Sequence, residues 1–493
     1  MGDRSVTRNC GPDLVRVGAG LPVAAYRDEI TTALHGGRAV IVAPPGTGKT
    51  TFVPPLVASR CSGRVIVTQP RRVAARAAAR RLATLTGTRP GEFASHTVHG
   101  ESTTTRDTKV EFVTTGVLLR RLLSDPDLTG VDAVVLDEVH ERHLDADLVV
   151  AMVCEVAQLR DDLTIVAMSA TVDSSGWAAF LGGVEPAPVV EVASALHELE
   201  VEWAPAAGAA VESRGVSREF LGHLGTVTVD ALDRHTEGSA LVFVPGAREV
   251  DHVVADLRSR LAGIDVVGLS GAMSAREQDH ALSDPGNVRR VIVSTAVAES
   301  SLTVPGVRLV VDSGLSREPR LDRGRGMTGL VTVRESRASA VQRAGRAARL
   351  GPGVAVRCLR AQDWAGMNAD PTPEVDHADL VASLLSLAVW GSPRGEGMAL
   401  PTPLPQDRVA AAEEELRDLG AVDAEGRITA RGRHLATFPL DPRLARALTD
   451  GAAIIGSRRC AEIAAMLGLE DGQVDFVGQW RQLRSGRHPE AAM

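Results

Sequence analysis

Short, nearly continuous apolar runs recur along the first third of the chain, and each is followed by a stretch with helical periodicity. The runs cover residues 39–42, 64–68, 132–136 and 164–168. Apolar runs that alternate with helices are typical of parallel strands covered on both faces. We therefore predict a parallel α/β sheet whose ligands lie beyond the carboxyl ends of its strands.

A second series of such runs follows a Pro/Ala/Gly-rich stretch, residues 186–208. Its members are residues 240–244, 264–269, 291–294 and 307–311. The two series share an architecture but no repeated sequence. We predict a second α/β lobe and a boundary near residue 190.

From about residue 369 the strand pattern is replaced by helical periodicity, at residues 378–390 and 409–419, with a Gly/Pro-rich linker between them. Residues 419–429 predict a turn and a short hairpin after a helix, as in a winged helix. The predicted organisation is an N-terminal extension (1–20), two lobes (21–190 and 191–368), a winged-helix-like domain (369–436) and a partial helical domain (437–493).

Composition limits the kinds of binding that are plausible. The net charge is −8 and aromatic residues make up 3% of the 493 residues, so neither a generally basic coat nor base stacking is expected to hold nucleic acid. The charge is unevenly distributed along the chain, however. Residues 317–349 contain nine arginines and three acidic residues, a local balance of +6. Such a run is either a solvated face or part of a local binding channel.

The five cysteines are far apart, without C-x-x-C spacing, and no apolar run approaches the ~18 residues that cross a bilayer. We therefore expect reduced thiols and a soluble, cytoplasmic protein that does not contact a membrane.

A phosphate-binding loop follows the first apolar run. It reads Ala-Pro-Pro-Gly-Thr-Gly-Lys-Thr over residues 43–50. Glycines let backbone N–H groups approach phosphate oxygens, Lys49 reaches the β- and γ-phosphates, and the Thr50 hydroxyl ligates Mg²⁺. Ala43 stands where the strict pattern has Gly, but the tight turn is expected at Gly46 and Gly48. The expected nucleotide-binding residues are Gly46, Thr47, Gly48, Lys49, Thr50 and Thr51.

Two carboxylates follow another apolar run, at Asp137 and Glu138. In a phosphate-loop ATPase the first carboxylate holds Mg²⁺ through water and the second polarises the attacking water. We assign Asp137 to the metal and Glu138 to water activation. The plain alternative is a solvated strand end.

The third candidate site is arginine-rich. Residues 342–349, Gln-Arg-Ala-Gly-Arg-Ala-Ala-Arg, are expected to open a helix in the second lobe. A spacing of three would put Arg346 and Arg349 on one helical face, where both could approach a γ-phosphate. Arginines so placed compensate transition-state charge.

These blocks, in this order, resemble the DEAH-box branch of superfamily-two helicases. The segments that carry the resemblance are residues 43–50, 68–75, 114–120, 137–140, 169–171, 241–246, 294–306 and 342–349. The resemblance implies two tandem RecA-like P-loop NTPase lobes, followed by a winged-helix domain and a short helical, ratchet-like domain, with ATP and Mg²⁺ as cofactors. Val139, Ala296 and Ala348 depart from the family pattern, and Ala296 puts one polar contact in doubt.

The resemblance also assigns roles. Ser169 and Thr171 couple hydrolysis to lobe movement, and His140 communicates with Gln342, which joins the catalytic group. The backbone of a single strand is held by Arg71, Thr115 and Thr295. Residues 317–333 match the family's strand-separating β-hairpin, with turn residues 324–329.

The leading interpretation is a monomeric ATP-dependent RNA helicase that moves 3′ to 5′ on single-stranded RNA. DNA is the alternative substrate, and no sequence feature reports on the 2′-hydroxyl that distinguishes the two. The other class is a nucleotide-dependent RNA-binding clamp or assembly factor that hydrolyses ATP with little unwinding.

Overall fold

The computed structural model describes residues 12–170, 174–193, 197–213, 215–286, 288–299, 302, 304–322, 327–467 and 476–485. The chain divides into two compact units. The first unit consists of residues 1–140 and 152–195, and the second unit of residues 141–151 and 196–493.

The first unit is built on an eight-stranded sheet. Its strands are β1 (Arg38–Val42), β2 (Arg64–Gln69), β3 (Ala94–Val98), β4 (Glu101–Ser102), β5 (Val110–Thr114), β6 (Val131–Leu136), β7 (Thr164–Ser169) and β8 (Val189–Glu191). Their order is β4-β3-β5-β2-β6-β7-β1-β8, and every pairing is parallel except that of β3 with β4. All four apolar runs predicted as strands are strands here. Sequence reasoning missed β3 and β5, whose polar residues interrupt the apolar pattern, and the short strands β4 and β8.

Helices cover this sheet. They are α1 (Leu14–Gly18), α2 (Arg27–Ala33), α3 (Lys49–Ala58), α4 (Arg72–Thr86), α5 (Thr115–Ser124), α6 (Leu144–Leu159) and α7 (Ser174–Gly182). The buried apolar residues of β1, β2, β5 and β6 pack against α3 and α4 in one core. Burial on both faces is why the centres of β1, β2 and β6 are runs of Val, Ile and other apolar residues.

The second unit repeats the architecture with a six-stranded parallel sheet of order β13-β14-β12-β15-β18-β9. The strands of this unit are β9 (Leu199–Trp203), β10 (Val211–Glu212), β11 (Gly215–Val216), β12 (Ser239–Phe243), β13 (Asp265–Leu269), β14 (Arg290–Ser294), β15 (Val307–Asp312), β16 (Leu315–Asp322), β17 (Met327–Arg334) and β18 (Gly353–Arg357). The four predicted runs form β12 to β15, so the predicted α/β fold class is confirmed in both units.

A β-hairpin leaves this sheet after β15. Strands β16 and β17 pair antiparallel from Leu315 opposite Arg334 to Asp322 opposite Met327. The predicted hairpin is therefore present, and residues 323–326 of its turn lie outside the described residues. Gly329, expected in the turn, instead pairs with Arg320 inside the strands.

The helices of the second unit are α8 (Arg218–Arg234), α9 (Ala247–Arg260), α10 (Ala275–Leu282), α11 (Arg337–Ala344), α12 (Ala361–Ala365), α13 (Val381–Trp390), α14 (Gln406–Asp418), α15 (Ala430–Ala436), α16 (Pro442–Ile455), α17 (Ser457–Leu467) and α18 (Phe476–Arg484). Helices α13 and α14 confirm the helical periodicity predicted after residue 369. The hairpin predicted at residues 419–429 is reduced to one antiparallel bridge, Val422 with Ile428. In the described ranges, no helix is both long and apolar enough to span a bilayer.

Candidate nucleotide site

The loop between β1 and α3 has the backbone of a phosphate cradle. Gly46 and Gly48 have φ angles of 92° and 86°, in the left-handed region that favours glycine. Gly48 caps α3, and a Cβ there would lie 2.8 Å from the side chain of Leu21. The tight turn thus falls at the two predicted glycines, and Ala43, which is fully buried, does not disturb it. Helix α3 begins at Lys49, and the backbone N–H groups of its first turn can donate hydrogen bonds to an anion.

The ammonium and hydroxyl that follow the loop meet the two carboxylates after β6. The Nζ of Lys49 lies 3.2 Å from Oε2 of Glu138, and the Thr50 hydroxyl donates to Oδ2 of Asp137 at 2.6 Å. Lys49, Asp137 and Glu138 are each at most 6% exposed. The structure therefore brings together the residues predicted for phosphate, metal and water, because β1 and β6 end at the same edge of a parallel sheet.

Sequence reasoning missed a second side-chain donor to Asp137. The side chain of Gln69, the last residue of β2, is fully buried and its Nε2 donates to Oδ2 of Asp137 at 2.7 Å. Its Oε1 has no hydrogen-bond partner among the described residues. The available signal was the position of Gln69, a polar residue at the carboxyl end of the strand beside β6.

Burial and the neighbouring Glu138 carboxylate raise the pKa of Asp137 to about 7, against the opposing influence of Lys49, Thr50 and Gln69. A carboxyl with this pKa exchanges a proton near neutrality. No cluster of three or more His, Cys, Asp or Glu side chains suited to a metal occurs in the described part of the chain. Thr50 and Asp137 suit Mg²⁺, which is usually held by one or two protein oxygens together with phosphates and water.

His140 is oriented by backbone from a neighbouring strand end. Its Nδ1 accepts from the N–H of Ala170 at 3.2 Å, so the neutral ring carries its proton on Nε2. That Nε2 lies 3.6 Å from Oε2 of Glu138. The segment after β7 is thereby linked through His140 to Glu138. Ser169 is fully buried at the end of β7, and Thr171 lies outside the described residues.

Glu138 itself has a strained backbone, with φ at 56° in a non-glycine residue. Left-handed conformations of this kind cost of order 1–3 kcal/mol and persist where surrounding contacts determine them. Here the N–H of Glu138 donates to Oδ1 of Asp137 at 3.0 Å, and the N–H of Asp137 donates to the Thr68 hydroxyl at 3.1 Å. These bonds hold the turn that directs both carboxylates toward Lys49 and Thr50.

The arginine motif is placed differently from the prediction. Helix α11 ends at Ala344, so residues 342–349 close a helix instead of opening one, and Arg346 and Arg349 do not share a helical face. Gly345 follows the helix, and residues 345–348 form a turn. Arg346 is buried, and its guanidinium donates to the carbonyl of Glu299 at 2.9 Å and to the carbonyl of Leu302. Gln342 lies in the last turn of α11.

The residues predicted to hold nucleic acid each follow a parallel strand. Arg71 precedes α4 just after β2, and Thr115 begins α5 just after β5, the neighbour of β2 in the sheet. In the second unit, Thr295 follows β14, and its N–H donates to the carbonyl of Leu269 at 3.2 Å. All three sit at carboxyl ends of strands, where ligands of such sheets bind.

Comparison with known proteins identifies three family matches. Residues 26–177 match the DEAD/DEAH box helicase family, residues 224–351 match the helicase conserved C-terminal domain, and residues 412–440 match the winged-helix helicase associated domain HA2. The first match contains the loop and both carboxylates, and the second contains the arginine motif.

Similar proteins include the ATP-dependent RNA helicase HrpB of Escherichia coli, 37% identical over 91% of this chain and 54% of the relative. The probable ATP-dependent RNA helicase DHX34 of Homo sapiens is 32% identical over 93% of the chain and 40% of its own length. The crystal structure of E. coli HrpB superposes with a TM-score of 0.84 at 34% identity, over 96% of this chain and 61% of that one. The chain thus spans about half the length of the curated relatives it matches.

Proposed function

The chain belongs to the DEAH-box branch of the DEAD/DEAH helicases, and from this premise we propose that it is an ATP-dependent helicase that moves 3′ to 5′ on single-stranded RNA. The main support is the buried cluster of Lys49, Thr50, Asp137 and Glu138, in which an ammonium, a hydroxyl and two carboxylates lie within 3.2 Å of their partners. The relatives named as RNA helicases support the choice of RNA.

In this proposal the residues of the phosphate loop, from Gly46 to Thr51, hold the phosphates of ATP, and Thr50 and Asp137 hold Mg²⁺. Magnesium supplies charge neutralisation of the phosphates. Glu138 accepts the proton of the attacking water. Because the Lys49 ammonium already lies against Glu138, incoming phosphate competes with this carboxylate for Lys49, which frees Glu138 for the water.

Gln342, Arg346 and Arg349 are proposed to stabilise charge on the γ-phosphate. Arg346 also bonds two backbone carbonyls. We therefore expect Arg346→Ala to reduce stability in addition to hydrolysis.

Arg71, Thr115 and Thr295 are proposed to hold the strand through its phosphates, without reading its sequence. His140, with Ser169 and Thr171, is proposed to couple hydrolysis to movement, and the hydrogen bond from Ala170 to His140 supports that link. We propose a cytoplasmic protein that acts as a monomer.

The hydrolytic part is tested by RNA-stimulated ATPase rates of Lys49→Ala, Glu138→Gln and Arg349→Ala. All three should lose hydrolysis, and Glu138→Gln should still bind ATP. The matched control is Lys109→Ala, since Lys109 is the only other lysine of the chain. Turnover like that of the unmodified protein in any of the three would remove that residue from its role.

The mechanical part is tested by strand displacement on RNA and DNA duplexes with 3′ or 5′ overhangs. We expect ATP-dependent displacement of RNA duplexes with a 3′ overhang. Preference for DNA duplexes would instead indicate a DNA helicase. ATP hydrolysis without displacement of any duplex would indicate the clamp or assembly factor.

A further inference from the structure

A buried arginine lies at the base of the β-hairpin. Arg343, on α11, is 1% exposed, and its guanidinium contacts four oxygen atoms, three of which accept hydrogen bonds from it. Its Nε donates to Oε2 of Glu299 at 2.9 Å, and its Nη1 lies 3.1 Å from Oδ1 of Asp312, 3.1 Å from the carbonyl of Leu315 and 2.5 Å from Oε2 of Glu335.

Three of these partners mark where the hairpin leaves and rejoins the unit. Asp312 ends β15 just before the hairpin, Leu315 is the first residue of β16, and Glu335 directly follows β17. The N–H of Glu335 also donates to the carbonyl of Gly314 at 3.2 Å. A single guanidinium therefore bridges the entry and exit strands of the hairpin.

The fourth partner connects this bridge to another segment. Glu299 lies in the stretch 294–306, which precedes β15. Arg343 holds the Glu299 carboxylate, while Arg346 holds the Glu299 carbonyl at 2.9 Å. Two arginines of the segment 342–349 thus bond the same residue: Arg343 bonds the side chain of Glu299, and Arg346 bonds its backbone carbonyl.

The cluster contains more negative charge than one arginine neutralises. Three carboxylates surround Arg343, and neither Oδ2 of Asp312 nor either carboxylate oxygen of Glu335 has a hydrogen-bond partner among the described residues. Burial raises the pKa of Glu335 well above its usual value, against the influence of the Arg343 cation and together with that of the nearby Asp312. Buried ionic clusters of this kind add little net stability compared with an apolar core. Their better-attested use is to specify one arrangement of the chain.

We propose that Arg343 is a positioning residue that ties the base of the hairpin to the arginine segment 342–349 and to Glu299, so that the orientation of the hairpin follows the state of that segment. The inference rests on the proposed function, in which the arginine segment contacts the γ-phosphate and the hairpin separates strands. Lysine cannot reproduce the contact, because an ammonium lacks the planar fork that reaches acceptors on several sides.

The first test requires no nucleotide or RNA. Hydrogen exchange of the backbone amides is compared between the unmodified chain and Arg343→Lys, with Arg337→Lys on the same helix as the matched control. We expect exchange in β16 and β17 to become about tenfold faster while β12 and β14 of the same unit stay unchanged. Unchanged exchange in the hairpin, or faster exchange throughout the second unit, would overturn the inference.

The second test measures coupling. For Arg343→Lys we expect the Michaelis constant for ATP to stay within about twofold, while duplexes displaced per ATP hydrolysed fall about tenfold. If Arg343 affected stability alone, the rate of ATP hydrolysis and the rate of duplex displacement would fall together. The number of duplexes displaced per ATP hydrolysed would then stay unchanged. Such an unchanged ratio counts against the proposal.

A second variant keeps the inference testable if Arg343→Lys does not fold. Glu299→Ala removes the carboxylate by which Arg343 contacts the 294–306 stretch, and it leaves the contacts of Arg343 with Asp312, Leu315 and Glu335 in place. It should lower the displacement ratio without faster exchange in β16 and β17, and an unchanged ratio would contradict the proposal. If the unmodified chain displaces no duplex, the proposed function fails, while the hydrogen-exchange result still decides whether Arg343 holds the hairpin.

Discussion

Asp137 shows at the scale of one residue how the fold orients a carboxylate for the metal role proposed for it. Its Oδ2 accepts from both Thr50 and Gln69, and its Oδ1 accepts from the N–H of Glu138. Three donors orient the carboxylate, yet burial beside a second carboxylate keeps its pKa near neutrality. In the proposed role, a proton and Mg²⁺ therefore compete for the Asp137 carboxylate.

This competition predicts that Mg²⁺ affinity depends on pH. Because the pKa of Asp137 is raised to about 7, the carboxyl is mostly protonated at pH 6 and mostly ionised at pH 8. Mg²⁺ requires the ionised form, so its affinity should rise about tenfold from pH 6 to pH 8. Isothermal titration with Mg²⁺ and a non-hydrolysable ATP analogue measures this. Asp137→Asn is the control and should flatten the profile; an equally steep profile in that variant would assign the effect to another group.

A second prediction concerns Gln69. Gln69→Leu keeps the volume but removes the donor to Asp137, and loss of such an outer hydrogen bond lowers metal affinity by about 10–100-fold. The matched control is Gln278→Leu, a buried glutamine of α10 that donates to the carbonyls of Ser270 and Met273. Both variants should lose about 1–3 kcal/mol of unfolding free energy. Only Gln69→Leu should weaken Mg²⁺ binding, and equal Mg²⁺ affinities in the two variants would contradict the assignment.

At the scale of elements, the strands were predictable because burial on both faces leaves an apolar signature in the sequence. The phosphate loop was predictable for a similar reason, since Gly46 and Gly48 adopt left-handed angles that other residues avoid. The end of α11 was not predictable from spacing. Arg346 and Arg349 are three residues apart, as on one face of a helix. Arg346 instead lies in the turn that begins at Gly345, where its guanidinium bonds the carbonyls of Glu299 and Leu302. Those partners are about 45 residues away in sequence, so spacing alone could not reveal them.

The start of α16 supplies a prediction for the C-terminal helices. Arg443 bonds Asp379 at 2.5 Å, Asp441 at 3.1 Å and Glu415, so that one side chain joins α16 to α14 and to the residues before α13. Arg443→Met leaves three carboxylates without their cation and should lower the unfolding free energy by about 2–4 kcal/mol. Thermal or urea unfolding followed by circular dichroism measures the loss.

The matched control for Arg443 lies one turn further along α16. Arg446 pairs with the more exposed Asp450, also on α16, and donates to one carbonyl, that of Leu419 at the end of α14, so Arg446→Met should cost only about 1 kcal/mol. Equal losses in the two variants would mean that the ionic network around Arg443 does not hold these helices together.

At the scale of the whole molecule, charge restricts how a nucleic acid can be held. The net charge is −8, while residues 317–349 carry a local excess of six positive charges. Two of the nine arginines, Arg343 and Arg346, are buried among partners within the protein, and so is Glu335, one of the three acidic residues. Burial therefore removes only a small part of the local positive excess.

The three residues proposed to hold the strand predict a shallow salt dependence for RNA binding. Of the three residues proposed to hold the strand, only Arg71 carries a charge, and Thr115 and Thr295 contribute hydroxyls. With about one to three neutralised phosphates, the slope of log affinity against log salt should be about −0.7 to −2 for a single strand. Fluorescence anisotropy with a labelled single-stranded RNA at several salt concentrations gives the slope. Arg71→Ala should make it shallower by about 0.7, whereas Thr115→Val should weaken binding at every salt concentration and leave the slope unchanged. A slope near −5 would show that an extended basic channel holds the RNA, contrary to the binding mode proposed for these three residues.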